Sequence, residues 1–497
     1  LDWDSIITES THTPIYKMPN DNSFKKTAHI VTEQLDNYLK DSKNGQLQTL
    51  KQNTPQKIAG DLNLEALIKN GNILGDGFPS FLKNYLENTQ HLHHPHFLGH
   101  QVSAPNMASS FADYIHGAIN NPMAIYEMGP AAATLEKVVV NWMLDKIGWF
   151  KASSYIETNL EICKGAGILT HGGSMANLTA LLAARAQCDT QAWSNGNTNN
   201  LVVLAPQNAH YSVAKSLAIM GIGYDKVISI ETDENEVLLP KSLEETYFKT
   251  IKEGKKIMAL VANACATATG LYDPLEAIGI FCNKHHLWLH IDGAHGASAL
   301  LSDTKKNLLK GVHLADSLVW DAHKMLQTSA LSAAVLFKDY KHLNQTFKQK
   351  GDYLFFEKED IGFDLIDKAI ECTKAPLGTK AFMAIAYKGE KGLAADLEAS
   401  YDKTLAFHKL IVAHDNFECP FVPQSNILCF RHKAFLNNDA LQLDLRNELV
   451  KKGNFYITTT TVKSKRYLRI AVMNNQTEAK HIKALLKEIE EIADTLI

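Results

Sequence analysis

With 497 residues, 45% of them hydrophobic and 21% charged, the chain can bury a large core and should divide into two or three domains. Its 50 basic and 54 acidic residues are mixed along the sequence and sum to −4, so no broad field recruits nucleic acid and a small-molecule partner is favoured. Seven scattered cysteines with no C-x-x-C pair, a start (LDWDSIITES) without a basic-then-apolar signal, and no run of eighteen apolar residues read as a cytosolic protein with reduced thiols and no membrane segment.

Residues 1–93 alternate helical patterns (23–39, 62–69 and 78–88) with polar loops and contain no convincing strand. Such a leader has little core of its own and is expected to pack on another domain or on a second subunit. HLHHPHFLGHQ (residues 91–101) holds five histidines. A zinc site would normally add Cys or carboxylate at defined spacing, and Pro95 makes the stretch extended, so it reads as a loop at the edge of a pocket with no metal. A helix is expected over 134–147. ILTHGGSMANLTALLAARAQ, from Ile168, then gives a short strand, a Gly-Gly turn, Ser174 at an N-cap position and an Ala/Leu helix. Free backbone N–H groups at such a helix start suit an anion, which makes Gly173 and Ser174 a phosphate cradle, with an ordinary capped helix as the alternative.

From Leu201 the pattern is regular α/β. LVVLAP, KVISIET, IMALVANAC and LWLHIDG are apolar strands separated by helical runs, which implies a mostly parallel sheet with helices on both faces. Polar residues stand where those strands end: His210, Thr267, Asp292 and the His323-Lys324 pair, between the strands SLVW and SAAVLFK. Ligands of such sheets bind beyond the carboxyl ends of the strands. A lysine there is a ready nucleophile for an aldehyde, because burial without a partner lowers its pKa, although a lone His-Lys would read as a solvated turn. Pyridoxal phosphate needs a Schiff-base lysine, a carboxylate on its ring nitrogen, a phosphate cradle and a flat group over the ring; Lys324, Asp292, the Gly173-Ser174 turn and His210 supply those types. Residues 94–391 form this large domain. Residues 392–497 read as a smaller α/β domain with strands NILCFR, FYITTTTV and YLRIAVM and a closing helix over 478–496.

Together THGGSMANLTALLAAR, PQNAHYSV, LHIDGAHG and DSLVWDAHKM resemble the group II pyridoxal-phosphate decarboxylases, the family of glutamate, cysteine-sulfinate and aromatic amino-acid decarboxylases. The resemblance implies a fold-type I transferase architecture, a homodimer with shared active sites, and α-decarboxylation of an L-amino acid to the amine and carbon dioxide, with an acidic substrate favoured over diamino or aromatic ones. It makes Lys324 the Schiff-base lysine, Asp292 the ring-nitrogen partner, His210 the stacking histidine and Ala294 the residue under the ring. Thr267 would meet the ring hydroxyl, and Gly173, Ser174 and His323 the phosphate. Tyr353, in DYLFFEKED, matches a loop tyrosine that protonates the substrate α-carbon, and Arg469, in YLRIAVMNN, an arginine that binds the substrate α-carboxylate in glutamate-type members. His100 stands where glutamate-type members carry a glutamine. The family's Asn-Pro before His-Lys is Asp321-Ala322 here, so Asp321 must point away from a phosphate or be paired. Another fold-type I enzyme, an aminotransferase or lyase, would share the lysine and Asp292. A metallohydrolase built on His290, Asp292 and His295 is the reading from a different class.

Overall fold

The computed structural model describes residues 22–347 and 362–496. Two compact units are present, Leu1–His91 and Leu92–Ile497. The described part of the first consists of the helices Asn22–Lys43, Pro55–Asp61, Leu64–Asn70 and Phe78–Glu87. Thr54 Oγ1 caps the second of these by accepting from the Lys57 backbone N–H at 3.2 Å, ahead of a first-turn proline that has no N–H to satisfy. This helix has no apolar stripe long enough to show in the sequence.

The second unit holds a seven-stranded sheet in the order β1-β7-β6-β5-β4-β2-β3. The strands are β1 (Ala166–Thr170), β2 (Leu201–Pro206), β3 (Val227–Ile230), β4 (Lys256–Asn263), β5 (Leu289–Asp292), β6 (Ser317–Asp321) and β7 (Ala333–Phe337). β3, β2, β4, β5 and β6 run parallel, and β7 is antiparallel to both β6 and β1. The protein is therefore α/β, with a mostly parallel central sheet. Every residue of β2, β5, β6 and β7 is buried, because helices cover both faces. Side chains alternate between two cores: Leu204, Leu260, Ile291, Leu318 and Trp320 on one face, and Val203, Val261, Val319, Val335 and Phe337 on the other. Ala176, Ala180, Ala183 and Ala184 line the buried side of the helix Gly173–Cys188, and their small size lets that helix lie close against the second face.

A four-stranded antiparallel sheet follows, in the order β10-β11-β9-β8, from β8 (Phe417–Glu418), β9 (Ile427–His432), β10 (Thr458–Val462) and β11 (Lys465–Ala471). The helices Asp439–Lys452 and Ala479–Leu496 close its core. The helix Leu377–Val412 runs across the boundary expected at residue 392, with its one break at Gly389, φ +65°. Among the described residues no helix is long and apolar enough to cross a membrane.

Candidate active site

Lys324, His323, Asp292, Ala294, Thr267, His210, Gly173 and Ser174 come together around one cavity of about 280 Å³ beyond the carboxyl ends of β4, β5 and β6. Asn177, Tyr211, Cys265, His295, Asp321 and Leu331 complete much of its wall. Each strand delivers its polar residue just where backbone pairing stops, so the sheet that buries the apolar runs also aligns these groups.

Asp292 is the last residue of β5 and is buried. Its Oδ2 accepts from Asn177 Nδ2 at 2.9 Å and its Oδ1 from the Ala294 backbone N–H at 3.2 Å. Two N–H donors thus satisfy one lone pair on each oxygen of the buried carboxyl group. Asn177 also reaches Ser212 Oγ at 2.9 Å and His290 Nε2 at 2.9 Å; Ser212 Oγ lies 2.7 Å from His210 Nδ1, and His290 Nδ1 lies 2.8 Å from Ser317 Oγ. Burial pushes the pKa of His290 down to about 4, against the pull of the Asp292 charge, and lowers that of His210 for the same first reason. Both His290 nitrogens are thus committed to Asn177 and Ser317, which removes His290 from the ligand set of the metallohydrolase reading.

Lys324 follows β6, and its Nζ lies 3.1 Å from Asp321 Oδ2. Asp321 is thus paired, as its position required, while its Oδ1 is buried with no hydrogen-bond partner among the described residues. His323 is buried, and its Nδ1 donates to Ser332 O at 2.9 Å, which leaves Nε2 3.7 Å from Asp321 Oδ2. On the anion side, the helix Gly173–Cys188 begins two residues earlier than Ser174 at the N-cap would imply: Gly172 is the N-cap, with φ +108°, a conformation only glycine adopts easily. A Cβ on Gly173 would come within 3.0 and 3.1 Å of the two Asp321 oxygens, so a side chain there would have to displace that carboxylate.

His295, the other histidine of the metallohydrolase reading, is engaged elsewhere. Asn426 Nδ2 donates to Val472 O at 3.1 Å, so Asn426 Oδ1 accepts from His295 Nε2 at 2.6 Å. Burial and the Lys324 charge push the His295 pKa down to about 3. Its Nδ1 is buried without a partner among the described residues. Cys265, also in the wall, is pushed up to about 11 by burial, so it is a neutral thiol.

Arg469 and His100 stand apart from the residues that line the cavity with Lys324. Arg469 is buried behind the Thr267 wall, with Nε donating to Thr267 O at 3.0 Å and Nη2 to Gln101 Oε1 at 2.9 Å. His100 is exposed, and its Nε2 lies 2.9 Å from the Tyr456 hydroxyl. Gln101, one residue on, is the side chain that meets Arg469. Tyr353 lies outside the described residues. Sequence reasoning does not find Asn177, Ser212 or Gln101; the usable signal is Asn177, a polar residue within an Ala/Leu helix, where an amide normally disfavours the interior unless something holds it.

The donor set suits pyridoxal phosphate. An amine, a buried carboxylate held by two N–H groups, an imidazole and a glycine turn at a helix start share one cavity, and the buried His295 Nδ1 lacks a protein partner there among the described residues.

Residues 71–433 match the pyridoxal-dependent decarboxylase conserved domain. The chain is 28% identical to the acidic amino acid decarboxylase GADL1 of Homo sapiens over 80% of this chain and 77% of that protein. It is 28% identical to L-2,4-diaminobutyrate decarboxylase of Acinetobacter baumannii over 82% of this chain and 81% of the relative. The crystal structure of mouse CSAD shares the fold, with a TM-score of 0.86 and 23% identity over 95% of this chain and 99% of that one. A match across most of the chain, together with a cavity fit for the cofactor, sets aside the aminotransferase, carbon-sulfur lyase and metallohydrolase readings: the chain belongs to the pyridoxal-dependent decarboxylases, enzymes that remove carbon dioxide from amino acids.

Proposed function

We propose that the enzyme decarboxylates an acidic L-amino acid at its α-carbon, working in the cytoplasm as a homodimer. The observation that supports a carboxylate-bearing substrate is Arg469, and the preference for an acidic one over diamino or aromatic substrates is supported by the relative GADL1. Its guanidinium is buried, held by the neutral acceptors Thr267 O, Gly99 O and Gln101 Oε1, and no carboxylate pairs with it among the described residues. Its charge acts on Cys265 and His295, both in the cavity wall. A buried cation left with neutral partners favours an anionic ligand beside it. GADL1 is named for acidic amino acids, and the diaminobutyrate enzyme is the rival precedent.

Pyridoxal phosphate, when bound, supplies an aldehyde for an amine and a protonated ring that takes up the electron pair left when carbon dioxide departs. In this reading Lys324 Nζ holds the aldehyde carbon. Asp292 keeps the proton on the ring nitrogen, while His210 and Ala294 take the two ring faces. Thr267 meets the ring edge, and Gly173, Ser174 and His323 take the phosphate. Arg469, with His100 near the entrance, orients the substrate carboxylate. Tyr353 donates the proton that replaces carbon dioxide at the α-carbon.

The dimer proposal is supported by the helix Met107–Ile119, on which Met107, Phe111, Ile115 and Ile119 form one exposed apolar row at four-residue spacing. That helix is tied to the segment after Lys324, where Ser109 Oγ accepts from the Ser329 backbone N–H at 2.8 Å. Leu331, on the cavity wall, is exposed nearby in sequence. The helical N-terminal segment (residues 1–93) packs on the partner subunit in this proposal. Seven free thiols suit the cytoplasm.

A substrate panel read by carbon dioxide release tests the reading. L-glutamate, L-aspartate or L-cysteine sulfinate should exceed L-2,4-diaminobutyrate and aromatic amino acids; a diamino or aromatic preference would overturn it. Mixing Lys324→Ala with Tyr353→Phe protomers tests the shared site, since a verified heterodimer that recovers no activity would mean that the tyrosine does not act across the subunits.

A further inference from the structure

A carboxylate can only accept hydrogen bonds, and that fixes the direction of every bond around Asp292. Asp292 Oδ2 lies 2.9 Å from Asn177, so the amide must turn its NH2 toward Asp292 and its Oδ1 toward His290 Nε2, also at 2.9 Å. His290 Nε2 must then donate. The lone pair of His290 is left on Nδ1, which takes the Ser317 hydroxyl proton at 2.8 Å. Ser317 Oγ in turn accepts the Trp288 indole N–H at 2.9 Å, a group that can only donate. In the other direction, the second Asn177 Nδ2 proton goes to Ser212 Oγ at 2.9 Å. The Ser212 hydroxyl is therefore free to donate to His210 Nδ1 at 2.7 Å, and the Ser212 backbone N–H points at the same nitrogen at 3.3 Å. His210 must carry its proton on Nε2. Asn177, Ser212, His290 and Ser317 are all at most 1% exposed, so water cannot replace any link cheaply.

We propose that Asn177 is a positioning residue that couples the two side chains assigned to the ring nitrogen and the ring face, aiming an N–H at Asp292 and holding His210 as the Nε2–H tautomer, with His290 as the fixed donor behind it. The proposal rests on the roles of Asp292 and His210 given above. One amide therefore serves both sides: it gives Asp292 an N–H while accepting from His290, and through Ser212 it leaves His210 Nδ1 as an acceptor. Burial lowers the pKa of both histidines, which is consistent with neutral rings on either side of Asn177.

The first test uses the cofactor-free chain labelled with ring-15N histidine, with signals assigned through His290→Gln and His210→Gln. Two-bond 1H–15N spectra at pH 8 should show the proton on Nε2 of both rings, and Asn177→Ala should turn His210 into a tautomer mixture. His290 protonated on Nδ1 in the unmutated chain would overturn the proposal. The second test is pyridoxal phosphate binding by equilibrium dialysis. A glutamine side chain places an N–H near the position of Nε2, and an asparagine near that of Nδ1. His290→Gln should bind within about threefold of the parent chain, and His290→Asn about tenfold or more weakly, as expected for a lost hydrogen bond to a group that supports a charge. Equal losses would overturn it. Should a variant fail to fold by circular dichroism, the tautomers of the unmutated chain decide. A chain that shows these tautomers yet decarboxylates no acidic amino acid would fail the proposed function and leave this inference standing.

Discussion

Two buried carboxylates end neighbouring parallel strands, Asp292 on β5 and Asp321 on β6, and they are held in opposite ways. Asp292 has both oxygens fixed by N–H donors, one from Asn177 and one from its own turn. Asp321 leans on the end of a flexible lysine through Oδ2 and leaves Oδ1 without a partner among the described residues. The first arrangement suits a charge that must stay constant through a reaction. The second suits a partner that changes, because the Lys324 amine is the group proposed to bond to the cofactor, and Asp321 loses its ammonium when that happens.

Lys324→Ala should produce the largest effect, because no other amine lines the cavity among the described residues; carbon dioxide release should fall to background, and substantial residual turnover would contradict the assignment. Asp292→Asn removes the fixed charge and should cost about 3 kcal/mol of transition-state stabilisation, roughly 150-fold in kcat. A rate within about tenfold of the parent, equivalent to roughly 1.4 kcal/mol, would mean that the constancy of this carboxylate does not matter.

Two neutral histidines, His290 behind Asp292 and His295 against Asn426, give a pH signature. His290 and His295 have folded pKa values near 4 and 3, below the ordinary value of 6.5. Between pH 6.5 and 4 the unfolded chain takes up protons at these rings that the folded chain does not, so stability is full above 6.5 and is lost on acidification. Each ring contributes up to about 1.4 kcal/mol per pH unit. His295→Gln keeps an N–H for Asn426 and should flatten the fall by about that slope, read from urea midpoints of the cofactor-free protein at pH 7.5, 6 and 5. An unchanged slope would show that His295 titrates normally. The smallest expected effect is Asp321→Asn. Its oxygens crowd Gly173, the turn proposed to hold the phosphate, so removing the charge should tighten cofactor binding by about 1 kcal/mol, roughly fivefold, in equilibrium dialysis. Weaker binding would mean that Asp321 supports the loaded site.

Much of this contrast is legible in the amino-acid sequence. The apolar runs of β2, β4, β5 and β6 mark two-sided burial, so their ends can be located and Lys324, Asp292, His210 and Thr267 picked from them. What is illegible depends on side chains that different elements bring together. Asn177 meets Asp292 and His290 over separations of 115 and 113 residues, and no periodicity encodes that. His100 and Gln101 lie in an irregular segment, where no repeat tells which neighbour turns inward; the structure gives that place to Gln101. The Gly-Gly turn reads two residues late, because Ser174 is a good capping residue and Gly172 wins only through its positive φ. The helix Met107–Ile119 is not among the expected elements, although its apolar row at four-residue spacing is a helix signal; what the sequence does not carry is that this row faces outward.

The central claim is that Lys324 carries the cofactor in the cavity formed by the ends of β4, β5 and β6. Borohydride reduction of the loaded enzyme, followed by proteolysis and mass mapping, tests it most directly. The account predicts one pyridoxyl group per chain, on Lys324. A stable adduct on another lysine, or an active enzyme that yields none, would contradict it.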